Sequence, residues 1–93
     1  MGLKFEWHPG KALANRQKHQ VSFEEASTVF ADPLSATVFD LDHSDEEERY
    51  ITIGLSEQKR LLMVSHTEEG DRIRIISARE LTSLEKQEYE NEA

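Results

Sequence analysis

The dipeptide Asp32-Pro33 divides this chain into two unlike halves, and that division constrains the fold more than any other feature. Proline disfavours helical geometry in the residue before it, and the spacing of apolar residues changes at the same point. Ahead of it stand two helical signals. Pro9 suits a first helical turn and predicts a helix to about His19, with Ala12, Leu13 and Ala14 as a thin apolar face. Asn15, Lys18 and His19 fall on one side of that helix. Ser22-Phe23-Glu24-Glu25 then has the form of a capping box, in which the Ser22 hydroxyl and Glu25 carboxylate satisfy free backbone N–H groups. Phe23, Ala26, Val29 and Phe30 supply the buried face of the second helix. Before both helices, Lys4–Trp7 alternates polar and apolar residues and reads as a short strand.

Beyond Pro33 the pattern is that of strands. Ala36–Leu41, Tyr50–Leu55, Arg60–His66 and Arg72–Ser77 are rich in Val, Ile, Leu, Phe or Thr. Ser56–Lys59 and Thr67–Asp71 read as hairpin loops, the second helped by Gly70, which tolerates positive φ. Asp42–Arg49 is a longer, acidic connection. Short loops favour an antiparallel meander. A last helix is predicted over about Glu80–Asn91, capped either by Ser77 with Glu80 or by Thr82 with Glu85. Its apolar content is only Leu81, Leu84 and Tyr89. The predicted class is α+β: an antiparallel sheet with two N-terminal helices and a C-terminal helix, in the order β-α-α-β-β-β-β-α. The 93 residues suit one domain over 1–93, which at this size buries roughly 64% of its unfolded surface.

Charge narrows the function. The net charge is −8, without the dominant basic field usual in a nucleic-acid binder. Yet residues 1–20 carry +3 and 49–79 carry +2, separated by the −6 of residues 40–48. Any polyanion site must therefore be local, and the acidic balance suits a basic protein partner. The chain has no Cys, which removes disulfides and thiol nucleophiles and fits a reducing compartment. Its four histidines, at 8, 19, 43 and 66, lack metal-site spacing. No apolar run spans a membrane and residues 1–20 hold no signal-peptide apolar segment. A cytoplasmic protein without metal or cofactor is expected.

Taken in order, many short pieces resemble the BrnT family of bacterial toxins. They are Phe5-Glu6-Trp7 with Pro9, Lys11…Asn15…Lys18-His19, Val21–Ala26, Val29-Phe30 and Asp32-Pro33. The second half adds His43-Ser44, Glu47-Glu48-Arg49, Ile53-Gly54, Arg60-Leu61-Leu62, Ile73–Arg79, Glu85 and Tyr89. The resemblance implies a RelE-like fold, RNA cleavage as a toxin of a type II toxin–antitoxin system, and neutralisation by a BrnA-type ribbon-helix-helix antitoxin that binds DNA. DNA would be contacted only through that antitoxin. The family pattern carries Asp at His8, Gly at Gln20, and further bases after Arg79 where this chain reads Leu81-Thr82-Ser83-Leu84. Those lost bases leave a second function class in view: a catalytically weak or silent protein that binds the antitoxin and acts as co-repressor.

Metal-independent RNA cleavage needs the 2′-hydroxyl deprotonated, the phosphorane charge held and the leaving oxygen protonated. Arginine suits the charge-holding role through its planar, always ionised fork, and an imidazole exchanges protons near neutrality. Lys18, His19, Arg74 and Arg79 are the expected catalytic set, with Arg49 or Arg60 as further RNA contacts. Lys18-His19 also complements a helix C-terminus. Arg72 and Arg74 share one strand face, opposite Ile73 and Ile75. Arg60 and His66 have the parity of Leu62 and Val64 and are expected at strand ends beyond the core; Arg79 is expected just past the last strand. Arg72 reads as solvated, His8 as a substituted cap, His43 as a turn residue, and Trp7 and Phe5 as core. Asp45–Glu48 reads as a solvated loop, or as a landing site for a basic antitoxin.

Overall fold

His8 opens the first helix, α1 (Pro9–His19), by accepting the Gly10 N–H on its Nδ1 at 3.0 Å. The computed structural model that shows this describes residues 2–45 and 47–92; Glu46 of the acidic run lies outside them. At its far end α1 is closed by Gln20 in the left-handed conformation, φ 57°. Such backbone costs a residue with a Cβ about 1 kcal/mol relative to glycine. Gln20→Gly is therefore expected to raise the unfolding free energy by about 1 kcal/mol, read from urea denaturation. A midpoint that stays put or falls would show that no strain resides there.

Helix α2 (Phe23–Thr28) starts as expected, the Ser22 hydroxyl accepting the Glu25 N–H at 3.0 Å. The reciprocal half of the capping box does not form, because the Glu25 carboxylate turns instead to Arg60 and Ser56. A 3₁₀ turn, Val29–Ala31, follows. Asp32 then stops the helix and anchors its exit, taking the Leu34 N–H at 2.9 Å and the Leu55 N–H at 2.8 Å.

The strands are β1 (Lys4–Glu6), β2 (Ala36–Phe39), β3 (Tyr50–Leu55), β4 (Leu61–Glu69) and β5 (Arg72–Glu80), with α3 (Ser83–Glu92) last. They form a sheet in the order β1-β5-β4-β3-β2. β2 to β5 make the expected antiparallel meander, while β1 adds in parallel beside β5, Phe5 opposite Ile73. The sheet is thus mixed, since α1 and α2 carry the chain from one edge to the other. β4 outruns its predicted end because its turn with β5 narrows to Gly70-Asp71, with Gly70 at φ 64°, and β5 outruns its own at the other end, where Arg79 and Glu80 pair with Met63 and Leu62. Arg79 consequently lies inside β5, not past it. Thr82 and Glu85 win the competition for the last cap, exchanging bonds of 2.9 and 3.2 Å, so α3 starts at Ser83.

The core sits between the sheet and α1–α2. Val21, Phe23, Ala26 and Val29 pack on Leu62, Val64, Ile73, Ile75 and Ala78, rimmed by Phe5, Trp7 and Phe30. Gly54 permits the close approach: a Cβ there would lie 2.9 Å from both Val29 and Ser35. His66, expected beyond the core, is fully buried within it, because β4 continues past it to Glu69. Its Nε2 shares a 2.7 Å hydrogen bond with the Thr52 hydroxyl, and its ring meets Phe30 edge-on at 4.8 Å. Asn15 is buried too. It donates to the Val21 and Ala78 carbonyls at 2.9 Å each and accepts the Ala78 N–H at 3.1 Å. One amide side chain thereby binds α1 to the edge of β5 beyond the point where β1 stops. Among the described residues, no helix is long and apolar enough to cross a membrane.

Candidate RNA site

An extra residue in β5 decides which face its arginines share. Ser65 pairs with Ser77 but the next residue, His66, pairs with Ile75, leaving Ile76 as a bulge. Before the bulge Ile73 and Ile75 are buried; after it Ala78 is. Side chains alternate strictly along a regular strand, so Arg74 and Arg79, five residues apart, would otherwise point to opposite faces. The bulge puts both on the face turned away from α1 and α2. Arg79 there lies beside Met63, its cross-strand neighbour.

Each of these guanidinium groups holds a carboxylate. Arg79 grips Glu85 with two parallel bonds of 2.8 and 2.9 Å, the bidentate geometry that also fits phosphate. The Arg79 guanidinium, helped by the Thr82 N–H, draws the Glu85 carboxyl down to about 2. Arg74 binds one oxygen of Glu47, and Arg49 lies 3.5 Å from the other. Arg74 of β5 and Arg49, just ahead of β3, thus converge on a single carboxylate. Beside them is a shallow cavity of about 400 Å³ lined by Thr67, Arg72 and Arg74 and by the carboxylates of Glu6, Glu47, Glu48, Glu68 and Glu69; Arg72 faces Glu6 at 3.5 Å, exposed.

Lys18 and His19 come from the last turn of α1. With Lys11 and Asn15 they line a cleft of about 230 Å³ against Ile76 and Ser77, the stretch of β5 between Arg74 and Arg79. Lys11 was legible as part of this group, since positions 11, 15, 18 and 19 share a helix face. Arg60 is not brought to these residues. It sits on the helix side of the sheet, where its Nε donates to Glu25 at 2.9 Å and its terminal nitrogens reach Glu25, the Gln20 carbonyl at 3.0 Å and Glu80 at 3.4 Å. Arg60 holds the Glu25 carboxyl below its usual range against the opposing effect of burial. Sequence patterns miss Glu47 as a counter-ion of Arg74, because that arginine lies on a strand 27 residues further on.

Arg49, Arg74 and Arg79 thus lie on the face turned away from the helices, while Lys11, Lys18 and His19 line a different cleft, on the α1 side of the sheet. Such a set can hold anions and exchange a proton. No curated relative matches the sequence. Among solved structures, the 1.1 Å crystal structure of the Brucella abortus ribonuclease toxin BrnT is similar in fold, with a TM-score of 0.63 at 19% identity, over 87% of this chain and 99% of that one. The family model described as ribonuclease toxin, BrnT, of type II toxin–antitoxin system matches residues 7–85. Spanning most of the sequence, that match shows that the chain belongs to the BrnT family of ribonuclease toxins.

Proposed function

We propose that this chain is a metal-independent RNA endonuclease toxin, acting in the cytoplasm and neutralised by a BrnA-type ribbon-helix-helix antitoxin through which alone it meets DNA. The observation that carries this reading is the bulge at Ile76, which turns Arg74 and Arg79 to one face while Lys18 and His19 meet the intervening residues. In this reading Arg74 and Arg79 hold the non-bridging oxygens of the scissile phosphate as charge builds on it. His19 exchanges a proton with the attacking 2′-hydroxyl or the leaving 5′-oxygen, and Lys18 adds positive potential. Arg49 extends the contact along the RNA strand. Arg60 acts from the other face, by holding Glu25 and the end of α1.

The test is cleavage of end-labelled RNA by the purified chain with excess EDTA. Products carrying a 2′,3′-cyclic phosphate support the proposal; intact RNA with EDTA but cleavage with Mg²⁺ overturns its metal independence. RNA affinity should also fall steeply with salt if several phosphates are held. Glu47 occupies Arg49 and Arg74 in the free protein, so RNA must displace it. An exposed pair contributes about 0.2–1 kcal/mol, hence Glu47→Gln should bind a non-cleavable 2′-O-methyl RNA up to about five-fold more tightly, read by fluorescence anisotropy. Equal or weaker binding would place the RNA elsewhere.

The carboxylates on Arg49, Arg74 and Arg79 also favour the second reading, a silent family member acting as co-repressor. Growth continuing after induction without the antitoxin, together with intact RNA in vitro, would select it.

A further inference from the structure

β2 forms an outer edge of the sheet, and among the described residues no strand pairs with its free side. The Asp40 N–H donates to the Arg49 carbonyl at 2.8 Å, which fixes the ladder phase. Asp40, Val38 and Ala36 are the residues bonded to β3, so the N–H and C=O groups of Thr37 and Phe39 point outward. Exposed edges are usually blunted by charge, proline or a cover. This one, Ala-Thr-Val-Phe, has none. Large apolar side chains instead gather along it: Leu34 is 80% exposed, Val38 57%, Phe39 43% and Leu41 82%.

Both ends of the strand are acidic. Asp42, Asp45, Glu47 and Glu48 follow it. At its start the Tyr89 hydroxyl donates to the Leu34 carbonyl at 2.8 Å, bringing the half of α3 that carries Glu88 and Glu90. A second copy pairing antiparallel would set the acidic loop of each chain against the acidic start of the other. The charge therefore selects an occupant of opposite sign.

We propose that the free edge of β2 is a docking site for an extended segment of a partner protein, apolar at alternate positions and carrying Lys or Arg at both ends, which adds a sixth strand. Its backbone bonds Thr37 and Phe39, its apolar side chains cover Val38 on one face of the sheet, and its basic ends meet the acidic flanks. The inference stands apart from the ribonuclease reading, because its test follows peptide binding and not RNA cleavage.

The probe is a short peptide of alternating Val and Thr with paired lysines at both ends, added to the intact chain and followed by anisotropy and backbone amide NMR. The expected result is saturable binding that weakens with salt, shifts amides 36–39, and is lost when the end lysines are replaced by glutamates. Val38→Lys, an exposed substitution that keeps the β3 ladder, should weaken binding about ten-fold, as should Asp42→Lys with Asp45→Lys. No binding, shifts confined to another surface, or equal binding of the glutamate-ended peptide would overturn the proposal. Dimerisation of the free chain through β2 would overturn the choice of occupant.

Discussion

Arg74→Ala and Arg79→Ala are each expected to lower the RNA-cleavage rate by about 10²–10³-fold, the usual effect of removing one positioned donor from a developing oxyanion. Arg74 is exposed and, among the described residues, is held by Glu47 alone, so its loss leaves the core untouched. Arg79 also anchors Glu85 and thereby the start of α3, which calls for a control. Glu85→Gln breaks the same ion pair but keeps the arginine; it should retain most of the activity. Arg72→Ala, which removes only an exposed contact to Glu6, should change the rate less than about two-fold. Lysine at position 74 or 79 should recover part of the loss, since it restores charge without the bidentate fork. Should Arg74→Ala and Arg79→Ala both cleave at the parental rate, the assignment of the site fails. If Glu85→Gln falls as far as Arg79→Ala, Arg79 serves α3 and not the phosphate.

The second large effect is on stability in acid. Burial of the His66 imidazole pushes it down from 6.5 to about 4. Its buried Nδ1 has no hydrogen-bond partner among the described residues, and Glu68, the carboxylate facing it, stays 3.6 Å away and partly exposed. Tyr50 stacks on one side at 6.1 Å and Phe30 meets it edge-on. The folded state therefore keeps His66 neutral while the unfolded chain takes up a proton below pH 6.5. Stability falls as the pH drops through that window and levels off for this group below about pH 4. The loss is about 3 kcal/mol. Glu25 and Glu85, both held below their ordinary values by arginines, act further down: their stabilisation is present above the unfolded carboxyl range and is lost as pH falls through their folded values. Urea unfolding between pH 7 and pH 4 measures the sum. His66→Leu should flatten the curve from pH 6.5 to 5 and leave the lower limb in place. A parental slope in that variant would assign the acid sensitivity to other groups.

Much of this molecule is legible in its residues taken locally. Pro9, Ser22, Pro33, the Thr82–Glu85 box and the β-branched runs act on neighbours a few positions away, and α1, β3 and the meander follow from them. Gln20 is likewise readable, because a helix end demands a left-handed residue whatever surrounds it. His66 is not: its burial depends on how far β4 extends, which the narrowed Gly70-Asp71 turn decides. Spacing groups Asn15 with Lys18 and His19, and only the fold separates it from them, by bringing the Val21 and Ala78 backbone groups to it.

The candidate site divides along the same line. Residue chemistry, together with the family resemblance of the pieces they stand in, suggested Lys18, His19, Arg74 and Arg79 as a phosphate-handling set. Strand parity alone would separate Arg74 from Arg79, and it says nothing about Arg60 meeting Glu25 across the sheet. Only the tertiary structure placed them, through the unpaired Ile76 that inverts the alternation of β5 and through carboxylates reaching in from distant segments. Local sequence determines which way a chain turns and what chemistry it carries. Which face a side chain occupies, and which counter-ion it finds there, depends on register between strands, and register is a property of the whole packed sheet.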